Sequence, residues 1–505
     1  MPRGPNDEVG FVVRAGRSSS PPRPVSDERF CIALLGDFSG RANRETYESG
    51  AAIARRAPVR VDRDNLDEVL ARMAPELRLS LAEDTATELS LSFERLDDFH
   101  PDRLYERLPL FRSLKETRDR LADPALFSQA ARELVAEEPE PTPGGEPVPS
   151  PPPAGFLDQV LDETSRSQEA ESPAADVDLR AILRRIVAPH ILPTLDARQS
   201  ELLARFDSDI SEVVRALIHH PDFQALEALW RAIFFLTRRI ETGAQLQLHL
   251  IDVAKGELEL DLEDGPQGSG LHSLLVESSV GTPGAQRWSL LVGGYSFGAD
   301  PGDVELLTHL ATVASEAGAP WLSAAAPSLA GLSSFGEPLD PSQWSDEETP
   351  EWASLRRIQE AEWLGLALPR FLLRLPYGED TEPCEKLDFE EMPAAQALHE
   401  AYLWGNPAFA CAYLLAQSFS ESGWELRPGM HLEVDGLPLH LAKSDGAVEA
   451  KPCAETLLTE RAAQKLLEKG LMPLASFKDA GLARLVRFQS LAEPLAPLAG
   501  PWTPG

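Results

Sequence analysis

His219–Leu258, HHPDFQALEALWRAIFFLTRRIETGAQLQLHLIDVAKGEL, changes its period halfway along. Pro221 suits the first position of a helix and Asp222 suits its positive end. Phe223, Leu226, Trp230, Ile233 and Ile240 then recur at three- and four-residue steps, so one side of this helix must be buried. After Gly243 the rhythm becomes two: Leu246, Leu248 and Leu250 alternate with Gln245, Gln247 and His249, the pattern of a strand with one face inward. A helix leading into a strand predicts a core unit of an α/β fold rather than a site.

The chain on either side repeats this alternation. Upstream, Phe30–Gly36 (FCIALLG) is a continuous apolar run, which predicts a buried central strand ending in a tight turn. Val59–Leu81 reads as a strand, a turn capped by Asp64 or Asn65, and a helix faced by Leu66, Val69, Leu70 and Met73. Leu89, Leu91 and Phe93 alternate before two helical segments. Downstream, Gln286–Gly298 is a strand and turn, the stretch from Asp303 is a helix and a buried strand, and a polar loop follows from Ser333. Further strands fall around Leu437–Leu441, Val448–Ala450 and Met472–Ser476, with a capped helix from Thr459. The order predicts an α/β protein with mixed sheets flanked by helices.

At 505 residues the chain exceeds the size at which a single core keeps growing. Its 81 acidic against 47 basic residues, a formal charge of -34, disfavour nucleic acid and anionic membrane surfaces as partners. Cys31, Cys384, Cys411 and Cys453 form no CxxC or Cys/His motif, consistent with a reduced, cytoplasmic setting. The opening MPRGPNDEVG lacks the apolar core of a signal peptide, and the run Leu229–Leu236 is interrupted by Arg231 and too short to span a bilayer, so no membrane insertion is expected.

No motif assembles an active site, and no catalytic residue, cofactor or metal is expected. Gly36, Asp37, Phe38, Ser39 and Gly40 imitate a phosphate loop or a kinase DFG, but no GK[ST] or HRD accompanies them. His219 and His220 open a helix, where capping or a solvent-facing role fits better than metal binding. Glu257–Asp264 (ELELDLED), with Leu258, Leu260 and Leu262 alternating, reads as a half-buried strand with a charged face. Tyr402, Trp404, Phe409 and Tyr413 read as buried helix packing rather than a stacking box. Arg370, Arg374, Glu379 and Asp380 read either as an ion-pair cluster or as an intersubunit contact.

The opening stretch, LPRFLLRLPYGED (Leu368–Asp380) and LHEAYLWGNPAFACAYLLAQSF (Leu398–Phe419) resemble the large sheath subunit of the type VI secretion system, the TssC or VipB family. GDFSGR, the DRDN segment and LSF…LDDFHPD resemble the small sheath subunit, the TssB or VipA family, in that family's order. The resemblance implies a contractile-sheath-like fold in which a small module packs on a larger one, and a structural role through assembly and conformational change. The expected domains are a small-subunit-like module at 1–136, a Pro-rich linker at 137–155, an amphipathic helix and flexible segment at 156–176, a large-subunit-like module at 177–490 and a Pro-rich tail at 491–505. At ~3.1 Å per residue the linker can reach across a subunit. Implied partners are other sheath subunits, an Hcp-like inner tube protein and baseplate proteins. A ClpV-like unfoldase would take the helix bearing Phe156, Leu157, Val160 and Leu161; the other reading of that helix is packing on its own domain.

The apolar run Val9–Val13 (VGFVV) is a lone strand without a near partner, and such a strand is either disordered or pairs at a distance, with another molecule as one choice. In the large sheath subunit, the point matching LVRFQSLAEPLAP is followed by a helical segment and a strand pair that interlocks with a neighbouring protomer. Here a proline-rich stretch stands there instead. The resemblance therefore carries an alternative: a non-polymerising homologue that caps, nucleates or regulates the sheath or baseplate.

Overall fold

The computed structural model describes residues 28–80, 88–123, 125–127, 129, 195–280, 287–336, 341–344, 348–393, 399–444 and 447–503. The strand expected at Val9–Val13, the linker 137–155 and the helix Phe156–Arg166 lie outside the described residues. The element everything else is built on is β1 (Phe30–Gly36), in which Phe30 to Leu35 are fully buried. Its side chains point alternately to two faces. Phe30, Ile32 and Leu34 enter one apolar core, and Cys31, Ala33 and Leu35 enter another on the opposite side.

From β1 the chain passes through α1 (Ala51–Ala54), β2 (Val59–Val61), α2 (Leu66–Met73), the hairpin β3 (Glu76–Ser80) and β4 (Glu88–Ser92), α3 (Pro101–Arg107) and α4 (Pro109–Ala122). Asn65 occupies the N-cap of α2, but its side-chain oxygen accepts the Asp62 N–H at 2.8 Å instead of a helix N–H. The second half opens with α5 (Leu195–Ile218), α6 (Pro221–Arg239), β5 (Leu246–Asp252), α7 (Lys255–Leu262), β6 (Leu290–Phe297), α8 (Pro301–Ala317), β7 (Trp321–Ala325), α9 (Pro350–Arg357) and β8 (Leu364–Leu368). It continues with β9 (Phe371–Leu372), β10 (Trp404–Gly405), α10 (Pro407–Ser422), β11 (Glu433–Val434), the hairpin β12 (His440–Ser444) and β13 (Ala447–Lys451), α11 (Glu460–Glu468), β14 (Met472–Ser476) and β15 (Ala483–Leu485).

Among the described residues, nine strands join in one sheet, in the order β11-β15-β14-β8-β7-β6-β1-β5-β2. β14, β8, β7, β6, β1 and β5 run parallel, and antiparallel β2 and β15 flank them. The N-terminal module therefore does more than pack on the larger one: β1 lies between β5 and β6, pairing Phe30 with Leu246 through Gly36 with Asp252 on one side and Ile32 with Leu290 on the other. Burying Phe30, Ile32, Leu34 and Leu35 contributes about 6–12 kcal/mol at roughly 1.5–3 kcal/mol per side chain. That is comparable to the roughly 5–15 kcal/mol that stabilises an entire domain.

The helix of the opening stretch forms as its pattern predicts, with Pro221 at its first position and His220 as N-cap, the His220 Nδ1 accepting the Asp222 N–H at 3.3 Å. It lies close on the sheet because Gly36 and Gly294 leave room for Leu229; a Cβ on either would come within 2.8 Å of that side chain. The strand β5 departs from its reading. Gln247 and His249 are buried as well as the leucines, because Trp288 covers the second face and meets the His249 ring edge-on at 5.6 Å. Glu257–Asp264 also departs: Lys255–Leu262 is helical, with Leu258 and Leu262 one turn apart in the core and Leu260 exposed. The Glu257 carboxylate accepts the Ala254 N–H at 2.9 Å, closing the first turn and favouring helix over strand. The strand expected at Leu437–Leu441 begins at His440, and Met472–Ser476 is followed by a further strand, β15. The residues expected as a tail pack down: Leu491 and Leu498 are buried, and the amides of Leu491 and Ala499 bond to Leu364 and Glu362 beside β8.

Candidate functional site

In open α/β sheets ligands bind beyond the carboxyl ends of the parallel strands. In this protein that edge is filled by charged side chains which join the two modules. The turn after β1 is closed by Asp37, whose carboxylate accepts the amides of Arg41 at 2.6 Å and Ala42 at 2.8 Å. Burial raises the Asp37 pKa despite those bonds. Gly40 has φ +79°, and a Cβ there would lie 2.4 Å from the Glu76 carbonyl oxygen, so the turn requires glycine. Phe38 is fully buried against Trp230 of α6, and the Trp230 Nε1–H donates to the Phe38 carbonyl at 3.0 Å. The motif that imitates a phosphate loop is therefore a plug for the second module.

Asp252, at the end of β5, accepts the Ser39 amide at 3.0 Å, the Ser39 hydroxyl at 2.7 Å and Arg41 Nε at 2.9 Å. Glu257 is wholly buried and takes a two-pronged bond from Arg56, at 2.6 and 2.9 Å, together with the Glu48 amide at 2.9 Å. Asp261 accepts the Gly50 amide at 2.5 Å and those of Gly270 and Leu271. The acids of ELELDLED thus hold the first module. Beside them Lys255 pairs with Asp303, which also accepts the Gly298 amide at 2.6 Å. Across the seam itself the cations, Arg41 and Arg56, come from the N-terminal module and the anions, Asp252 and Glu257, from the C-terminal one, and a paired, hydrogen-bonded charge is what burial demands.

A second network lies under α6. Arg374 is almost completely buried between Glu227, at 2.8 Å, and Glu391, at 2.7 Å. Arg231 donates to Glu227 at 2.6 Å and to the Tyr377 hydroxyl at 2.8 Å, and His219 Nε2 lies 3.3 Å from Glu391. Burial alone would raise the Glu391 pKa, but Arg374 and the surrounding donors hold it at about 2. The four residues Arg370, Arg374, Glu379 and Asp380 do not form one cluster. Arg370 instead binds Glu455 at 2.6 and 2.9 Å, while the Glu379 amide donates to Glu390 at 2.8 Å.

Of the four aromatics read as helix packing, only Phe409 and Tyr413 lie on a helix, α10. Trp404 is on β10, and Tyr402 packs on it with its hydroxyl 2.8 Å from His440 Nδ1. His219 and His220 serve the structure, the second as a cap. Phe156, Leu157, Val160 and Leu161 lie outside the described residues. No helix among the described residues is long and apolar enough to cross a membrane.

Two modules share one sheet, and the edge where they meet is sealed by internal ion pairs. Residues 200–492, more than half the chain, match the family model VipB, described as EvpB/VC_A0108, tail sheath N-terminal domain. Residues 29–135 match the model T6SS_VipA, described as Type VI secretion system, VipA, VC_A0107 or Hcp2. The chain belongs to the VipB tail sheath family and carries a VipA-type segment ahead of it, as a fused sheath protein of the type VI secretion system. It is 33% identical over 353 residues to the Type VI secretion system sheath protein TssC1 of Pseudomonas aeruginosa, a match covering 67% of this chain and 71% of that one.

Proposed function

We propose that the chain joins the small-subunit-like and large-subunit-like parts of a sheath protomer in one polypeptide. As a member of the family it is a structural component that assembles with other sheath subunits. The proposal adds that the module at 1–136 supplies the small subunit in cis to the module at 177–490, with 137–176 as tether. The protomers pack in the cytoplasm around an Hcp-like tube on a baseplate, and a ClpV-like unfoldase takes the helix bearing Phe156, Leu157, Val160 and Leu161. No catalysis is involved; the work is done by repeated interfaces that differ slightly between two packings and add along the polymer. The observation that carries this reading is the position of β1 inside the sheet of the large module. Electron microscopy of the chain co-expressed with its tube protein tests it. Tubes sheathed by this chain alone are expected, whereas discrete particles sitting on the ends of another sheath would replace the reading with a capping role.

A further inference from the structure

The fold brings together three donors that the sequence keeps far apart. His100 and Asp102 stand at the start of α3 in the N-terminal module, and Cys384 lies in the loop that follows Arg374 and Tyr377 in the C-terminal one. One ligand atom from each lies within 4.8 Å of the other two. The three are held in place by their surroundings. The Asp102 carboxylate accepts the amides of Glu385 at 2.8 Å and Lys386 at 2.9 Å, which fixes the chain next to Cys384. The His100 ring meets Tyr377 edge-on at 4.7 Å, and its Nδ1 accepts the Asp102 amide at 3.1 Å. We propose that His100, Asp102 and Cys384 form a site for a divalent metal of the zinc class that fastens the N-terminal module to the loop of the C-terminal one.

The donor set selects the metal. Imidazole, carboxylate and thiolate together suit zinc and cobalt rather than calcium or magnesium, which take oxygen donors. Three protein ligands leave a fourth position for water. A thiol binds metal as its thiolate, and a bound dication favours that form. As the metal–sulfur bond forms, the thiol proton leaves to solvent, and a ring nitrogen of His100 takes a position on the metal.

The test uses the full chain and Co²⁺ as a spectroscopic probe. Cobalt is expected to give a thiolate-to-metal charge-transfer band in the near ultraviolet at one equivalent, displaced by Zn²⁺. Zinc is expected to slow maleimide labelling of Cys384 at least tenfold; Cys31, Cys411 and Cys453 are buried, so the labelling reports on this thiol. C384S should abolish the band. H100N should weaken binding at least tenfold while keeping the helix cap, because an asparagine side chain caps as well. Absence of the band in the unaltered chain overturns the proposal. So does a band that survives in C384S, or H100N binding as tightly as the original chain.

Discussion

Replacing Glu257 with Gln removes one buried charge from the seam and leaves a single oxygen, which can serve the Glu48 amide (bound at Oε1) or the Ala254 amide (bound at Oε2) but not both. The guanidinium of Arg56, itself mostly buried, then loses the charge at 2.6 and 2.9 Å and keeps only the more exposed Glu48, at 2.8 Å, as a counter-charge. Breaking one partner of a buried pair costs about 3–5 kcal/mol, and E257Q falls in that range because it also gives up one of the two amide bonds. The double variant R56M/E257Q no longer strands that charge. It should cost less than the sum of the singles by about 1.5–3 kcal/mol, the coupling expected of residues in direct contact. The comparison is the exposed pair Arg103–Glu106 at 3.0 Å, where removing either member should change stability by about 0.5 kcal/mol or less. Guanidinium chloride unfolding followed by tryptophan fluorescence reads all of these, with Trp230 at the seam as reporter. If the two singles simply add, or if E257Q costs no more than the exposed pair, the seam is not what joins the modules.

Two further outcomes follow from the same charges. R374M leaves Glu227 and Glu391 facing each other in the interior and should cost about 3–5 kcal/mol, with R374K milder because it keeps the charge but loses the fork; a loss under about 1 kcal/mol in denaturant unfolding would show the network to be ornamental. Acid should destabilise the protein in two stages. Burial, aided by the positive charge of Arg60, lowers the His249 pKa from its ordinary 6.5 to about 4, so the unfolded chain takes that proton first. Stability is then full above about pH 6.5 and declines as pH falls towards 4. Glu391, held at about 2 against an ordinary 4.5, adds a second decline from about pH 4.5 downward. Apparent Tm measured across this range should show both stages, and H249Q should reduce the upper one, to which His100 and His440, whose pKa values burial also lowers, contribute the rest.

Much of the sheet was legible because its signals are local. The unbroken apolar run of Phe30–Gly36 could only be a strand covered on both faces, and Pro221 with a three-four rhythm could only start a helix. The seam was not legible, because its partners lie roughly two hundred residues apart: Arg56 with Glu257 and Ser39 with Asp252 share no spacing that a linear reading detects. The period-two leucines of Glu257–Asp264 misled for the same reason, since what settles that stretch as a helix is the anchoring of Glu257 and Asp261 to the other module. One signal was available and unused. Glu227 lies four residues after Phe223 and three before Trp230, on the stripe that must be buried, and a carboxylate there requires a cation such as Arg374.

The sharing of one sheet by both modules is tested most directly by expressing residues 1–136 and 177–505 as separate chains and following each by thermal unfolding. Neither is expected to show a cooperative transition alone, because one lacks the neighbours of β1 and the other lacks β1 itself. Co-expressed, they should purify as a 1:1 complex unfolding in one transition near that of the intact chain. A 177–505 fragment that unfolds cooperatively by itself, at the temperature of the intact protein, would contradict the account.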